Sequence, residues 1–225
     1  MGDENQLIFI RKNAGKFEGP FLEVGSRDYG STRNLRAVFY GKGDYVGVDM
    51  SAGKGVDFVV DLAGDFGATD KALGGRRFKT IFCLSVLEHC EQPFKMAENL
   101  SLLIEPGGRI CVSVPFAWKF HGYPSDYWRF TREGVKKLFP NLIFTAGEGG
   151  EASSRDNEFF PVSEDTGRID FRGSLHRRSG HWLRGLNADI FKMLAGLGLF
   201  RWVFGYPYVL RPTIIYMIGE SKAAG

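Results

Sequence analysis

Short runs of apolar residues, closed off by turn formers, recur through the first two thirds of the chain at 21–24, 45–49, 57–61, 79–85 and 109–115. Their apolar residues follow one another instead of alternating with polar ones, which predicts strands buried on both faces. Between the runs the spacing lengthens to that of a helix. Ser31 or Thr32 stands where it can cap a helix through Tyr40 that stops at Gly41, and 93–103 carries apolar residues at helical spacing before Glu105-Pro106-Gly107-Gly108. Strand and helix in alternation predict an α/β fold: a largely parallel sheet, helices on both faces and right-handed crossovers. Such a sheet takes its ligands beyond the carboxyl ends of the strands.

After the fifth run comes an aromatic loop at 116–130, then a helix at 132–139 with Thr131 as its N-cap, a strand at 141–146 and a last strand at 213–219. The stretch 148–212 is the least regular. Its acidic half (Glu151, Asp156, Glu158, Glu164, Asp165) precedes a basic one (Arg168, Arg172, Arg177, Arg178, Arg184), and a helical pattern follows at 181–197 with Leu183, Leu186, Ile190, Phe191 and Leu194 on one face. A connection of that length inside one domain is usually either functional or disordered. The chain therefore reads as a single domain, 1–225, with an irregular insertion at 148–212.

Composition narrows the class. With 44% hydrophobic and 24% charged residues the chain is an ordinary globular one, which rules out wholesale disorder and a fibrous rod. Lys and Arg number 29 against 26 Asp and Glu, a balance that gives no reason to expect a nucleic-acid partner. Cys83, Cys90 and Cys111 are odd in number and lack CxxC spacing, so neither a disulfide framework nor a zinc site is expected, and no metal is assigned. The opening MGDENQ has no apolar signal core, and Gln6 stands where an N-myristoylation motif wants Ser or Thr. The greasy stretch 191–210 is interrupted by Lys192, Arg201 and glycines, so a cytoplasmic protein is expected whose membrane contact, if any, is peripheral.

The first candidate chemistry lies where the first strand runs into Gly25-Ser26-Arg27-Asp28-Tyr29-Gly30. Glycine at such a turn lets backbone approach a ligand closely. The turn matches neither GxGxxG, because Arg27 occupies the middle glycine position, nor the phosphate loop GxxxxGK[ST]. Asp49 ends the second strand, 24 residues after Gly25, where an acid can accept hydrogen bonds from both ribose hydroxyls of a nucleotide. Asp61-Leu62 closes the third strand with a carboxylate for an exocyclic amine and an apolar neighbour for a ring, although a turn or capping role fits Asp61 as well.

Four blocks together, FLEVGSRDYGS at 21–31, YVGVDMSAGKGVDFVVDLAG at 45–64, FKTIFCLSVLEHCEQPFK at 78–95 and LIEPGGRICVSVPFAWKFHGYPSDYWRFT at 103–131, resemble the class I S-adenosylmethionine-dependent methyltransferases. More narrowly, they are similar to the bacterial methyltransferase-domain group related to the type 11 branch, over roughly residues 20–147. The resemblance implies a Rossmann-like, mostly parallel seven-stranded sheet, with S-adenosylmethionine as cofactor and S-adenosylhomocysteine as product. It implies that Glu23, Gly25, Ser26, Arg27 and Gly30 contact the methionine part, Asp49 the ribose, and Met50, Asp61 and Leu62 the adenine. Leu84 and Ser85 would line the sulfonium. Arg27 departs from the glycine of the commonest motif, as it does in a subgroup with a similar GSRD loop.

A sulfonium methyl is already a good electrophile, so the protein must align the acceptor, exclude water and, for a neutral hydroxyl, supply a base. Two groups compete for that role: Glu88 and His89 after the fourth strand, and His121 with Asp126 in the aromatic loop. His121 is the expected base because imidazole titrates near neutrality, with Asp126 as its partner or alternative. Trp118, Tyr123, Tyr127 and Arg129 are the candidate acceptor contacts, although the loop's aromatics, with Phe120, Trp128 and Phe130, also suit a lid over the sheet. The basic run 172–184, with His176 and His181, suits an anion, an anionic membrane surface or simply solvent.

The expected partner is a small molecule, with anionic and glycan acceptors in range and oligomeric state left open. The expected reaction is methyl transfer to an oxygen of a sugar or secondary metabolite. Two rivals stand beside it: an NAD(P)-dependent oxidoreductase, disfavoured by Arg27 and the lack of a YxxxK pair, and a cofactor-binding scaffold without turnover.

Overall fold

The computed structural model describes residues 4–30, 34–122, 125–144, 150–154, 157–170, 180, 182–198 and 208–222. The chain opens with helix α1 (Glu4–Lys12), then alternates β1 (Phe21–Val24), β2 (Tyr45–Asp49), β3 (Phe58–Val59), α2 (Phe66–Ala72), β4 (Phe78–Leu84), α3 (Pro93–Leu103), β5 (Ile104–Ala117) and α4 (Arg132–Leu138). Short strands β6 (Leu142–Ile143), β7 (Glu151–Ser153), β8 (Phe159–Pro161) and β9 (Arg168–Asp170) follow. Helix α5 (Trp182–Gly196), β10 (Tyr208–Leu210) and β11 (Thr213–Ser221) complete the order.

Among the described residues nine strands form the main sheet, in the order β3-β2-β1-β4-β5-β11-β7-β8 with β6 also on β11. The pairs β2–β3, β1–β2, β1–β4 and β4–β5 are parallel, whereas β11 runs antiparallel to β5. The strand order reverses between β1 and β4, which sets the ligand crevice beyond their carboxyl ends.

The unbroken apolar runs have their cause in two cores, one on each face. Along β4, Ile81 and Cys83 join Leu22, Val48, Met96, Leu100 and Val135 under α3 and α4, while Phe82 turns to the other face. There Phe17, Phe21, Phe39 and Phe82 lie with ring centroids 4.7–6.2 Å apart, and Phe9 of α1 stacks on Tyr216 of β11 at 4.9 Å. Five of the chain's 20 phenylalanines, Phe9, Phe17, Phe21, Phe39 and Phe82, are buried in this second core, where aromatic pairs add to burial.

Two expectations are corrected. The helix placed at 31–40 is only a 3-10 turn at Arg36–Phe39, because Asn34 accepts a hydrogen bond from Ala37 N at 3.1 Å and starts the turn there; Ser31 and Thr32 lie outside the described residues. Among the described residues the sheet has nine strands and not seven. The sixth position is shared by two short strands, β6 and β7, both antiparallel to β11, and β8 is added at the edge. Gly150, at φ +92° and directly before β7, gives the backbone a conformation that no extended strand can hold.

α1 and α2 carry no strong sequence signal. Asp65 caps α2 by accepting from Ala68 N. Thr131 caps α4 by accepting from Gly134 N, as its position predicts.

Candidate active site

The crevice at the carboxyl ends of β1 and β2 is made of main chain brought unusually close. Gly25 turns the chain at φ +70°, and a Cβ there would stand 2.7 Å from Val86 Cγ2. The position therefore needs glycine both for its dihedral and for the approach of the β4 turn. Ser26 is buried against Gly47 and Gly55: a Cβ on Gly47 would lie 2.3 Å from Gly55 O and 2.7 Å from Ser26 Oγ. Asp28 ties the turn to the loop after β2. Its carboxylate accepts from Gly30 N at 2.8 Å and from Lys54 Nζ at 2.7 Å, and Lys54 holds it below the usual carboxylate range. Arg27, which stands in the glycine position, runs along Gly53 and over the Tyr29 ring at 5.0 Å.

The acids stand at the strand ends. Asp49 accepts from Ser51 N at 2.9 Å, and Met50 beside it is exposed. Asp61 accepts from Ala63 N at 2.9 Å and is exposed, while Leu62 packs into the core. The loop between them and α2 is held by Asn99 of α3, which donates to Leu62 O at 2.9 Å and Gly64 O at 3.0 Å. Glu23 sits deeper in β1, where Tyr45 donates to it at 2.8 Å and burial raises its pKa.

At the end of β4, Ser85 adopts φ +52°, and its hydroxyl accepts from Gln6 of α1 at 2.7 Å; Gln6 also reaches Ser113 of β5 at 2.8 Å. Asn5 donates to Ser153 Oγ at 3.0 Å, so α1 lies across β4, β5 and β7 through buried amides. Sequence reasoning missed α1, Gln6 and Asn99, because buried polar side chains look like surface ones until their partners are known.

The side beyond β4 and β5 is built from side chains. The turn Leu87–His89 follows β4, and the 116–130 loop folds back on it: Tyr127 N donates to Glu88 O at 2.8 Å, Trp128 Nε1 to Cys90 O at 2.9 Å, and His89 Nδ1 meets Ser125 O. Within the loop, Asp126 is enclosed, its side chain 1% exposed. It accepts from His121 N at 2.9 Å, lies 3.0 Å from His121 Nδ1 and takes a bidentate pair of bonds from Arg129. That guanidinium holds the Asp126 carboxyl well below the ordinary range.

His121 and His89 meet edge to face with ring centroids 5.0 Å apart. Glu88 is 1% exposed, and burial pushes its pKa up to about 8; burial also lowers that of His89. The four candidate catalytic residues thus form one cluster.

Of the other loop residues, Phe130 is buried and Trp118 packs against the second core, whereas Phe120, Tyr127 and Trp128 are exposed. The loop is therefore only partly an aromatic lid. Trp118 O accepts from Arg129 Nε at 3.3 Å, and Tyr123 lies outside the described residues. The cysteines are free and buried, and burial raises the thiol pKa of each.

Of the 148–212 stretch, Arg172, Arg177, Arg178, His176 and His181 also lie outside the described residues. α5 leaves Leu183 and Met193 exposed. No helix among the described residues is long and apolar enough to cross a membrane.

No family model matches the chain, and no curated protein matches it in sequence. Solved structures do match in fold. The chain is similar to a SAM-dependent methyltransferase from Archaeoglobus fulgidus, with 12% identity, a TM-score of 0.55 and 97% and 95% of the two chains covered. It is also similar to the 1,6-didemethyltoxoflavin-N1-methyltransferase of Burkholderia thailandensis, solved with 1,6-didemethyltoxoflavin and S-adenosylhomocysteine, at 9% identity, TM-score 0.53 and coverage of 96% and 76%. A third is the StiE O-MT region, at 12%, 0.50, and 98% and 74%. The likeness is one of fold: the chain has the Rossmann-like architecture of the class I methyltransferases.

Proposed function

We propose that this chain binds S-adenosylmethionine in the β1–β2–β4 crevice and transfers its methyl group to a small-molecule acceptor, most readily an oxygen of a sugar or secondary metabolite. The supporting observation is the convergence at one sheet edge of the Gly25–Gly30 turn, Asp49 and Asp61 with the cluster of Glu88, His89, His121 and Asp126.

On this reading Gly25, Ser26, Arg27 and Gly30 form the floor under the methionine part and Glu23 backs it, with Leu84 and Ser85 beside the sulfonium. Asp49 accepts from the ribose hydroxyls, Asp61 takes the adenine amine, and Met50 and Leu62 flank the base. In-line displacement moves the methyl from sulfur to the acceptor and leaves S-adenosylhomocysteine, with most of the acceleration supplied by alignment and exclusion of water.

His121 is the group that activates the acceptor. Asp126, fixed by Arg129, faces Nδ1 and keeps a proton there, which leaves the Nε2 lone pair for the active side of the ring. Trp118, Tyr123, Tyr127 and Arg129 frame the acceptor, and residues 148–212 form an insertion of the single domain on its side. The protein acts in the cytoplasm, on anionic or glycan acceptors among others.

The test is methyl transfer from labelled S-adenosylmethionine to an acceptor panel. His121→Ala and Asp126→Ala should each lower turnover at least about 100-fold, the scale of a lost acid–base group, with cofactor affinity unchanged. Wild-type turnover in both variants would remove these residues from the mechanism.

A further inference from the structure

Two buried polar atoms in the cluster have nothing to bind. Glu88 Oε2 and His89 Nε2 lack a hydrogen-bond partner among the described residues, although the Glu88 side chain is only 2% exposed and that of His89 10%. A buried acceptor without a donor costs free energy, so each such atom calls for a partner, a water or an ion.

Both atoms offer lone pairs, and a cation would displace the proton that burial favours on Glu88. His89 Nδ1 lies against the Ser125 carbonyl, which only an N–H can satisfy, so Nε2 is the unprotonated nitrogen. Glu88 cannot serve it, because the nearer carboxylate oxygen is 4.0 Å away. His121 completes the set with its Nδ1 committed to Asp126.

We infer that Glu88, His89 and His121 form a binding site for one divalent transition-metal ion. The ligand atoms the three residues offer lie within 4.8 Å of one another. An ion among them would stand within roughly 2.8 Å of each, and a small inward movement gives the settled lengths of about 2.0–2.2 Å. His121 can make that movement, since it sits on the loop with its side chain 23% exposed.

The surrounding residues complete the pattern of a metal site. Each imidazole has its other ring nitrogen held by an oxygen, His89 by Ser125 O and His121 by Asp126, the second layer of contacts that fixes ligand histidines. Two nitrogens and one oxygen favour manganese, iron, cobalt or zinc over magnesium or calcium, and three protein ligands leave coordination positions open.

What the ion is for rests on the proposed methyl transfer: bound there, it would polarise an acceptor oxygen as a Lewis acid, and His121 would then serve as its ligand in place of the acceptor's base. The sequence gives no hint of the site, because His121 follows His89 by 32 residues and joins it only in the fold.

The test is calorimetric titration of the full-length, chelator-treated, untagged chain with Zn2+, Mn2+ and Mg2+, without cofactor. One equivalent of Zn2+ or Mn2+ should bind at micromolar concentration or below, with Mg2+ at least 100-fold weaker. Glu88→Gln and His121→Ala should each weaken binding at least 100-fold while keeping the wild-type circular dichroism spectrum. Because buried Glu88 is the riskier substitution, His121→Ala alone decides if the other variant fails to fold, and the wild-type melting temperature should rise with Zn2+ and fall back with chelator.

No saturable binding by the wild type, or equal binding by His121→Ala, overturns the site. A parallel titration of the same samples with S-adenosylmethionine separates the two proposals: cofactor binding without ion binding overturns only the metal site, and ion binding without cofactor binding only the methyl transfer.

Discussion

The two sides of the crevice are made of different material. On the β1–β2 side the surfaces are backbone: Gly25, Gly47 and Gly55 bring three chain segments together with Ser26, and a single Cβ at Gly47 would meet a carbonyl oxygen at 2.3 Å. On the β4–β5 side the surfaces are side chains, with Arg129 clamping Asp126, Asp126 facing His121, and His121 against His89. A backbone surface suits a ligand that is always the same, because it admits no variation. A side-chain surface on a loop can be rebuilt for a different acceptor without disturbing the sheet.

The contrast can be broken at its tightest point. Gly47→Ala should destabilise the fold by about 3 kcal/mol or more, since both atoms it meets belong to fixed segments; Gly15→Ala, with nothing within 4 Å, should be neutral in the same melting experiment. Equal melting temperatures for the two variants would show that the backbone side yields.

Arg129→Met should cost less, about 1–2 kcal/mol, because the guanidinium is partly exposed although the carboxylate it leaves behind is enclosed. It should lower turnover without changing cofactor affinity. A fall in both would join the two sides.

The smallest effect is expected at Glu23, whose carboxyl is raised by burial. A raised folded pKa means that the protonated form is the one folding favours. Its contribution is complete below the ordinary carboxylate range and is lost as pH rises through the folded value. Glu23→Gln should therefore raise the melting temperature of the unliganded protein at pH 7–8 by an amount that shrinks toward pH 4. A pH-independent difference would contradict that assignment.

The same contrast decides what the sequence could tell. The strands were legible because burial on both faces leaves continuous apolar runs, and the glycine turn with Asp49 was legible because backbone sites leave their mark as spacing. α1 was not, because its docking contacts come from Asn5 and Gln6, polar residues whose partners Ser153, Ser85 and Ser113 are distant in sequence. The pattern of α5 is legible as helical, yet Leu183, Leu186, Ile190 and Phe191 of its apolar face are exposed: periodicity shows that a face is apolar, not that anything covers it. In the acceptor cluster each residue was singled out, but their meeting depends on the 116–130 loop returning to the Leu87–His89 turn through Tyr127 N, Trp128 Nε1 and Ser125 O. No local spacing encodes that return.

The central claim is that the backbone side holds S-adenosylmethionine, and calorimetric titration of S-adenosylmethionine, S-adenosylhomocysteine and NAD+ into the wild type and Asp49→Ala tests it most directly. Saturable binding of the first two but not NAD+, weakened in the variant by about 1.5–3 kcal/mol, or roughly 10- to 100-fold, is the predicted result for a lost charged hydrogen-bond acceptor. Binding of NAD+ alone, or of none of the three, would contradict it.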